Sequence, residues 1–150
     1  MKLSSERVVE LAERAKEKNE PLNLRGQDLS TFGLARIDLS GADLSMAKMN
    51  QVILGEANLT NTNLTGADLS GAMLTRAKLD GASLSRAYLF QTHLEDASLR
   101  KADLSKAILN GADLDGADLT GADLTGARYN DSTIWPIDFD PAAAGAKYSL

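Results

Sequence analysis

A leucine stands at nearly every fifth residue from Leu24 to Leu124, and this beat limits the folds open to the chain more than any other feature. Of the 22 beat positions from Leu24 to Tyr129, 20 are Leu, the exceptions being Met49 and Tyr129. Two residues earlier, 15 of the 22 places are Ala. Five steps along an α-helix advance about 500°, so the leucines would wander around the helix and give no apolar stripe. On a straight strand, residues five apart point to opposite faces. The leucines can share one interior only if the chain bends once in every repeat.

The residues around the beat supply that bend. In Ala67-Asp68-Leu69-Ser70-Gly71, Ala and Leu have strand parity and face inward, while the Asp between them faces out. The two residues after Leu make the corner. They are mostly Ser, Thr or Asn and then Gly, and nine of the chain's 12 glycines sit at the second of these places. The pattern predicts an all-β solenoid of stacked coils with short straight sides. Its leucine and alanine columns are structural and carry no chemistry; Leu69→Asp is expected to unfold it.

Periodicity alone does not set the number of sides. The tandem Ala-Asp/Asn-Leu motifs, gapless over residues 22–131, resemble the pentapeptide-repeat family, in its cyanobacterial-type members. That resemblance implies a right-handed quadrilateral parallel β-helix with 20 residues per coil, five to six coils, and a rod of roughly 25 Å at the inter-strand spacing. The expected organisation is a capping helix over 1–21, the β-helix over 22–131, and a non-repeating C-terminal cap or tail over 132–150.

Composition excludes several functions. There is no Cys and only one His, His93, so disulfides, thiolate chemistry and multi-His metal sites are ruled out. No apolar stretch approaches a membrane span, and the N-terminus lacks a secretory core, so a cytoplasmic protein is expected. The net charge is −5, with residues 1–20 balanced and residues 103–140 holding eight acids against Lys106 and Arg128.

A solenoid has open edges at its ends. Ser4 or Ser5 can N-cap a helix over 4–18 whose stripe is Val8, Leu11, Ala12 and Ala15, with Asn19 and Pro21 ending it. Leu22, Gln27, Phe32 and Ile37 replace Ala in the first coil and are expected to meet that stripe. In the tail, Ile134 and Phe139 keep the five-residue beat, and Trp135 and Phe139 either cover the last coil or form a dimer interface.

With the core structural, function belongs to outward positions. Four repeats per coil would place Asp28, Lys48, Asp68, Tyr88, Ile108 and Arg128 on one face, and Gly33, Ile53, Met73, His93 and Asp113 on the next. Ile53, Met73, Tyr88, Phe90, His93 and Ile108 then gather apolar and aromatic groups where the motif prefers Asp, Asn, Ser or Thr, a candidate interaction patch. Arg76, Lys78, Arg86, Arg100, Lys101 and Lys106 lie in neighbouring coils among Asp80, Glu95 and Asp96, and read as charge-paired corners. No nucleophile constellation or pocket is apparent, so neither an enzyme nor a cofactor is expected. One reading is a rigid rod presenting side-chain ladders to an unknown protein partner, with no direct nucleic-acid or membrane binding, as a monomer or a C-terminal-end dimer. The other follows from the resemblance: quinolone-resistance members of the family mimic duplex DNA and bind gyrase, and Asp103, Asp113, Asp115, Asp118 and Asp123 would be the acidic surface here.

Overall fold

The computed structural model describes residues 2–150. Its main body is a parallel ladder that advances 20 residues per turn: Asn23 bridges Asp43, Asp43 bridges Asn63, and the series continues through Ser83, Asp103 and Asp123. Three further ladders start at Asp28, Gly33 and Asp38. Each coil therefore has four sides of one repeat each. The sides are so short that they pair through single residues, not through runs of strand. The only strands among the described residues are β1 (Arg128–Tyr129) and β2 (Lys147–Tyr148), paired in parallel.

One repeat accounts for the whole architecture. In Ala42–Met46, Ala42 N–H closes a tight turn onto Leu39 C=O at 3.0 Å. Asp43 N–H reaches back to Leu22 C=O, while Leu44 N–H and Met46 N–H reach forward to Asn63 and Thr65 carbonyls, at 2.8–2.9 Å. Four of the five backbone donors are thus satisfied by backbone. The fifth, Ser45 N–H, donates to the Asp43 carboxylate at 3.0 Å. Every Asp or Asn that precedes a beat leucine makes this same bond to the N–H two residues on, from Asn23 and Asp28 to Asp118 and Asp123. The motif's polar residue is a corner clamp, completing hydrogen bonding that a bent backbone would otherwise leave open.

The second corner residue takes a left-handed conformation, as a type II turn demands. Gly71 has φ 67° there, the conformation in which glycine costs least, yet Arg86 and Lys106 adopt φ 59° at equivalent corners. Inside, the leucines from Leu24 to Leu124 and the alanines beside them form one dry, continuous core. Thr62 and Thr92 replace two interior alanines, and each bonds its buried hydroxyl to a leucine carbonyl, of Leu59 and Leu69 respectively.

The N-terminal end is closed by α1 (Ser5–Lys18), with Ser4 accepting Arg7 N–H at 3.2 Å and Asn19 ending the helix at φ 52°. Val8 and Ala12 are buried, and Leu11, Leu22, Phe32 and Ile37 pack against the core. Gln27 departs from the expectation: it is exposed, not under the helix. Its backbone carbonyl still accepts Lys48 N–H, so the ladder needs nothing from its side chain.

The tail makes one more circuit, but out of step. Asp113 bridges Ile134, twenty-one residues on, so the beat expected at Ile134 is displaced by one. Thr133 takes the interior alanine place, its hydroxyl on Leu109 C=O at 2.9 Å, and Trp135 takes the leucine place. Ile134 faces solvent instead. Trp135 stacks on Phe139 with centroids 5.3 Å apart and meets Tyr129 edge-on at 5.5 Å. Arg128 then pairs with Lys147, nineteen residues on.

Candidate functional site

The ladders define which outward residues are neighbours. Tyr88 and Ile108 are successive rungs between Asp68 and Arg128. Ile53, Met73 and His93 are successive rungs of the adjoining face, which runs on to Asp113 and Ile134. Phe90 stands at the corner between the two faces, its carbonyl accepting Gly71 N–H at 2.8 Å. The six residues therefore fall on two adjoining faces across one corner. Ile53, Met73, Tyr88 and Phe90 are 42%, 47%, 46% and 41% exposed, which is high for large apolar groups with no packing role; Ile108 is half-buried. Two exposed apolar residues beside these ladders were not anticipated, apart from those of the helix and the last residues of the tail. Met46, at a corner where the motif prefers Gly, and Ile134, brought into the His93 ladder by the one-residue slip, are 57% and 49% exposed.

These positions also give something up. Ile53, Met73, Tyr88, His93 and Ile108 all occupy the clamp place, and none supplies the acceptor that Asp or Asn would. A net hydrogen bond is worth about 0.5–1.5 kcal/mol, and the exposed N–H recovers part of that from water. The loss per site is small, but it falls repeatedly on the same two faces. His93 bonds elsewhere, its Nδ1 lying 3.1 Å from a Glu95 carboxylate oxygen, with Thr75 Oγ1 donating to the other oxygen at 3.3 Å. Partial burial works to raise the Glu95 pKa. It is outweighed by hydrogen bonds from the residue's own backbone and from His93, so the carboxyl lies below its ordinary value.

The acidic residues do not form one surface. Asp103 and Asp123 share a ladder, Asp113 lies in a second and Asp118 in a third, with Asp115 at a corner. Asp103, Asp113, Asp118 and Asp123 each clamp their own corner. Asp118 also accepts from Arg100 at 3.0 Å. Among the described residues no group of His, Cys, Asp and Glu is arranged to hold a metal ion, and no helix is long and apolar enough to cross a membrane.

The basic residues separate as well. Lys78 is a rung of the Asp38 ladder, Arg100 and Lys101 share the corner that follows that face, and Arg76 stands at the corner before it; Arg100 is charge-paired as expected. Arg86 and Lys106 sit at the corner beside Tyr88 and Ile108 and make no ion pair among the described residues. Arg76, Lys78 and Lys101 likewise make no ion pair among the described residues, so of the six only Arg100 meets the expectation of paired corners.

The sequence matches the family profile of pentapeptide repeats in eight copies, over residues 53–94 and 87–126. No curated protein matches it. Among solved structures it is similar to HetL, a pentapeptide repeat protein involved in heterocyst differentiation regulation from the cyanobacterium Nostoc sp. strain PCC 7120. Identity is 33% and the TM-score 0.77, over 87% of this chain and 53% of HetL, so the chain spans about half of HetL's length. A pentapeptide repeat protein of the Arabidopsis thaliana thylakoid lumen is 31% identical over 73% of this chain and 66% of its own, with a TM-score of 0.44. QnrB1, a plasmid-mediated fluoroquinolone resistance protein, is 19% identical over 85% of both chains, with a TM-score of 0.47. At those TM-scores neither of the last two bears on what this chain binds.

Proposed function

Because the chain belongs to the pentapeptide-repeat family, we propose that it is a non-enzymatic interaction module, a right-handed β-helical rod that presents side-chain ladders to a protein partner. In this reading residues 1–21 are the lid, 22–131 the rod and 132–150 its cap. The contact surface is the corner patch of Ile53, Met73, Tyr88, Phe90, His93 and Ile108. One observation carries the reading: at five of these places the rod forgoes its corner clamp and exposes apolar or aromatic atoms instead. Nothing in the fold's own stability asks for that exchange. The likeness to HetL, a repeat protein involved in heterocyst differentiation regulation, supports a regulatory role for such a rod.

A DNA-mimicking reading draws less support. It calls for a continuous acidic stripe, whereas Asp103, Asp113, Asp118 and Asp123 are spread over three faces and turned into their corners.

The test is the double variant Tyr88→Ser/Phe90→Ser. Its melting curve should match the parent's, since both side chains are exposed, and it should lose a partner that the parent retains on affinity purification from its native host. An unchanged partner set in a folded variant would remove the patch from consideration. Inhibition of gyrase supercoiling by micromolar protein would favour mimicry over the scaffold.

A further inference from the structure

Beyond Ile108, the Tyr88 ladder changes character. Its next rungs are Arg128 and, through the pairing of β1 with β2, Lys147. Arg86 and Lys106 stand on successive rungs of the corner alongside, Arg86 N–H donating to Ser105 C=O and Lys106 N–H to Thr125 C=O, each at 3.0 Å. Together these residues line an open groove of about 430 Å³, with Tyr88 and Ile108 at one end of its floor and cations along the rest. None of the four cations makes an ion pair among the described residues.

The carboxylates around them are engaged elsewhere. Asp103 and Asp123, on the preceding face, accept their own corner N–H groups from Ser105 and Thr125. Asp68, at the far end of the ladder, accepts from Ser70 N–H and from Asn50 Nδ2 at 2.7 Å. Asp131 lies beside the Tyr148 phenol, whose pKa it raises. The groove thus gathers four cations, none in an ion pair among the described residues, on a chain whose net charge is −5. Two of its cations, Arg86 and Lys106, occupy left-handed corner positions that nine repeats give to glycine.

We propose that this groove binds an extended acidic segment of a partner protein. An apolar side chain of the segment lies against Tyr88 and Ile108, and its carboxylates face Arg86, Lys106, Arg128 and Lys147. The proposal rests on the reading of the rod as a protein-binding module and names the chemistry of the partner. Charge complementarity selects an anionic occupant. The apolar floor, the small number of rungs and the negative charge of the rest of the chain favour a peptide over nucleic acid, which asks for a longer basic track.

The probe is a short fluorescein-labelled peptide carrying one phenylalanine and one leucine ahead of a run of glutamates, followed by fluorescence anisotropy on the full chain. Saturable binding that weakens as salt is raised is expected. Lys106→Glu/Arg128→Glu should weaken it at least about tenfold, while Arg76→Glu/Lys101→Glu, with the same change in net charge on other corners, should leave it within about twofold. Both variants should retain the parent's circular dichroism and melting point. The proposal is overturned if the peptide does not bind, if both variants weaken it equally, or if a single-stranded oligonucleotide displaces it at lower concentration. A non-binding peptide alongside a Tyr88→Ser/Phe90→Ser variant that still loses its partner would sink this inference and leave the scaffold reading intact.

Discussion

Leu69→Ala tests the energetic account of the rod most directly. Leu69 is fully buried near the middle of the solenoid, in the column Met49–Leu69–Leu89, and its column neighbours are equally inaccessible. Truncation removes three carbons, worth about 2.4 kcal/mol at ~0.8 kcal/mol each. The void left behind adds to this in proportion to how poorly the site collapses. Collapse is poor here, because Met49 N–H is fixed to Asp68 C=O at 2.7 Å, Leu69 N–H to Tyr88 C=O at 2.8 Å, and the Leu69 carbonyl also accepts the Thr92 hydroxyl at 2.8 Å. A cost of about 4 kcal/mol follows, in the upper part of the range for buried Leu→Ala. In a chain of this size that lowers the melting point by roughly 8–16 °C. Leu119→Ala, near the C-terminal end where the site is slightly exposed, should cost about 2–3 kcal/mol. Urea unfolding followed by both far-UV circular dichroism and Trp135 fluorescence measures this, and agreement of the two probes checks that the rod unfolds as one unit. A Leu69→Ala loss below about 2 kcal/mol, or equal losses for the two variants, would refute the rigid-column argument.

Three further outcomes are expected. Asp103→Ala removes the acceptor of Ser105 N–H and should cost about 1 kcal/mol in urea unfolding, whereas Asp103→Asn should be nearly neutral, because Asn58 and Asn63 clamp the same way. On acidification the rod should lose stability. Hydroxyls and backbone N–H groups of Ser40, Ser45, Thr120 and Thr125 hold the pKa values of Asp38, Asp43, Asp118 and Asp123 below normal. Their stabilisation is present above the unfolded value near 3.9 and lost as pH falls through the lower folded values. A urea midpoint that is flat from pH 7 down to about pH 3 would contradict this. Val8→Asp places a charge on the fully buried contact of α1 and should detach the lid, so that light scattering shows concentration-dependent association through the uncovered first coil; a variant that stays unassociated would show that the edge needs no cover.

The repeat made most of the fold legible. Five is odd, so leucine and alanine could share an interior only through a corner in every repeat, and the ladder of 20 residues has four such sides. The helix was legible through Ser4, the Val8–Ala12 stripe and Asn19, each of which acts locally. The tail was not. Its slip depends on Thr133 and Trp135 sliding into interior places, and the sequence around Ile134 gives no sign of which of three neighbouring residues turns inward. The apolar patch could be found because repeats make departures visible. The cationic groove was hidden because Lys147 reaches Arg128 across nineteen residues, outside the period. The clamp bond was also illegible as such: the Asp of the motif looked like surface charge, and only the accounting of backbone donors shows what it closes.

The slip in the last circuit has a consequence for how the rod ends. A uniform coil is a lattice translation, and any chain of the same pitch could extend it indefinitely, much as a fibril grows. Here the translation lengthens by one residue on the Ile134 side and shortens by one on the Lys147 side. Between them, Pro136 and Pro141 have no N–H to offer an incoming edge. An arriving coil in phase with one side is out of phase with the next. The terminal circuit is therefore a dislocation in the lattice, its edge in phase with no uniform coil on all four sides.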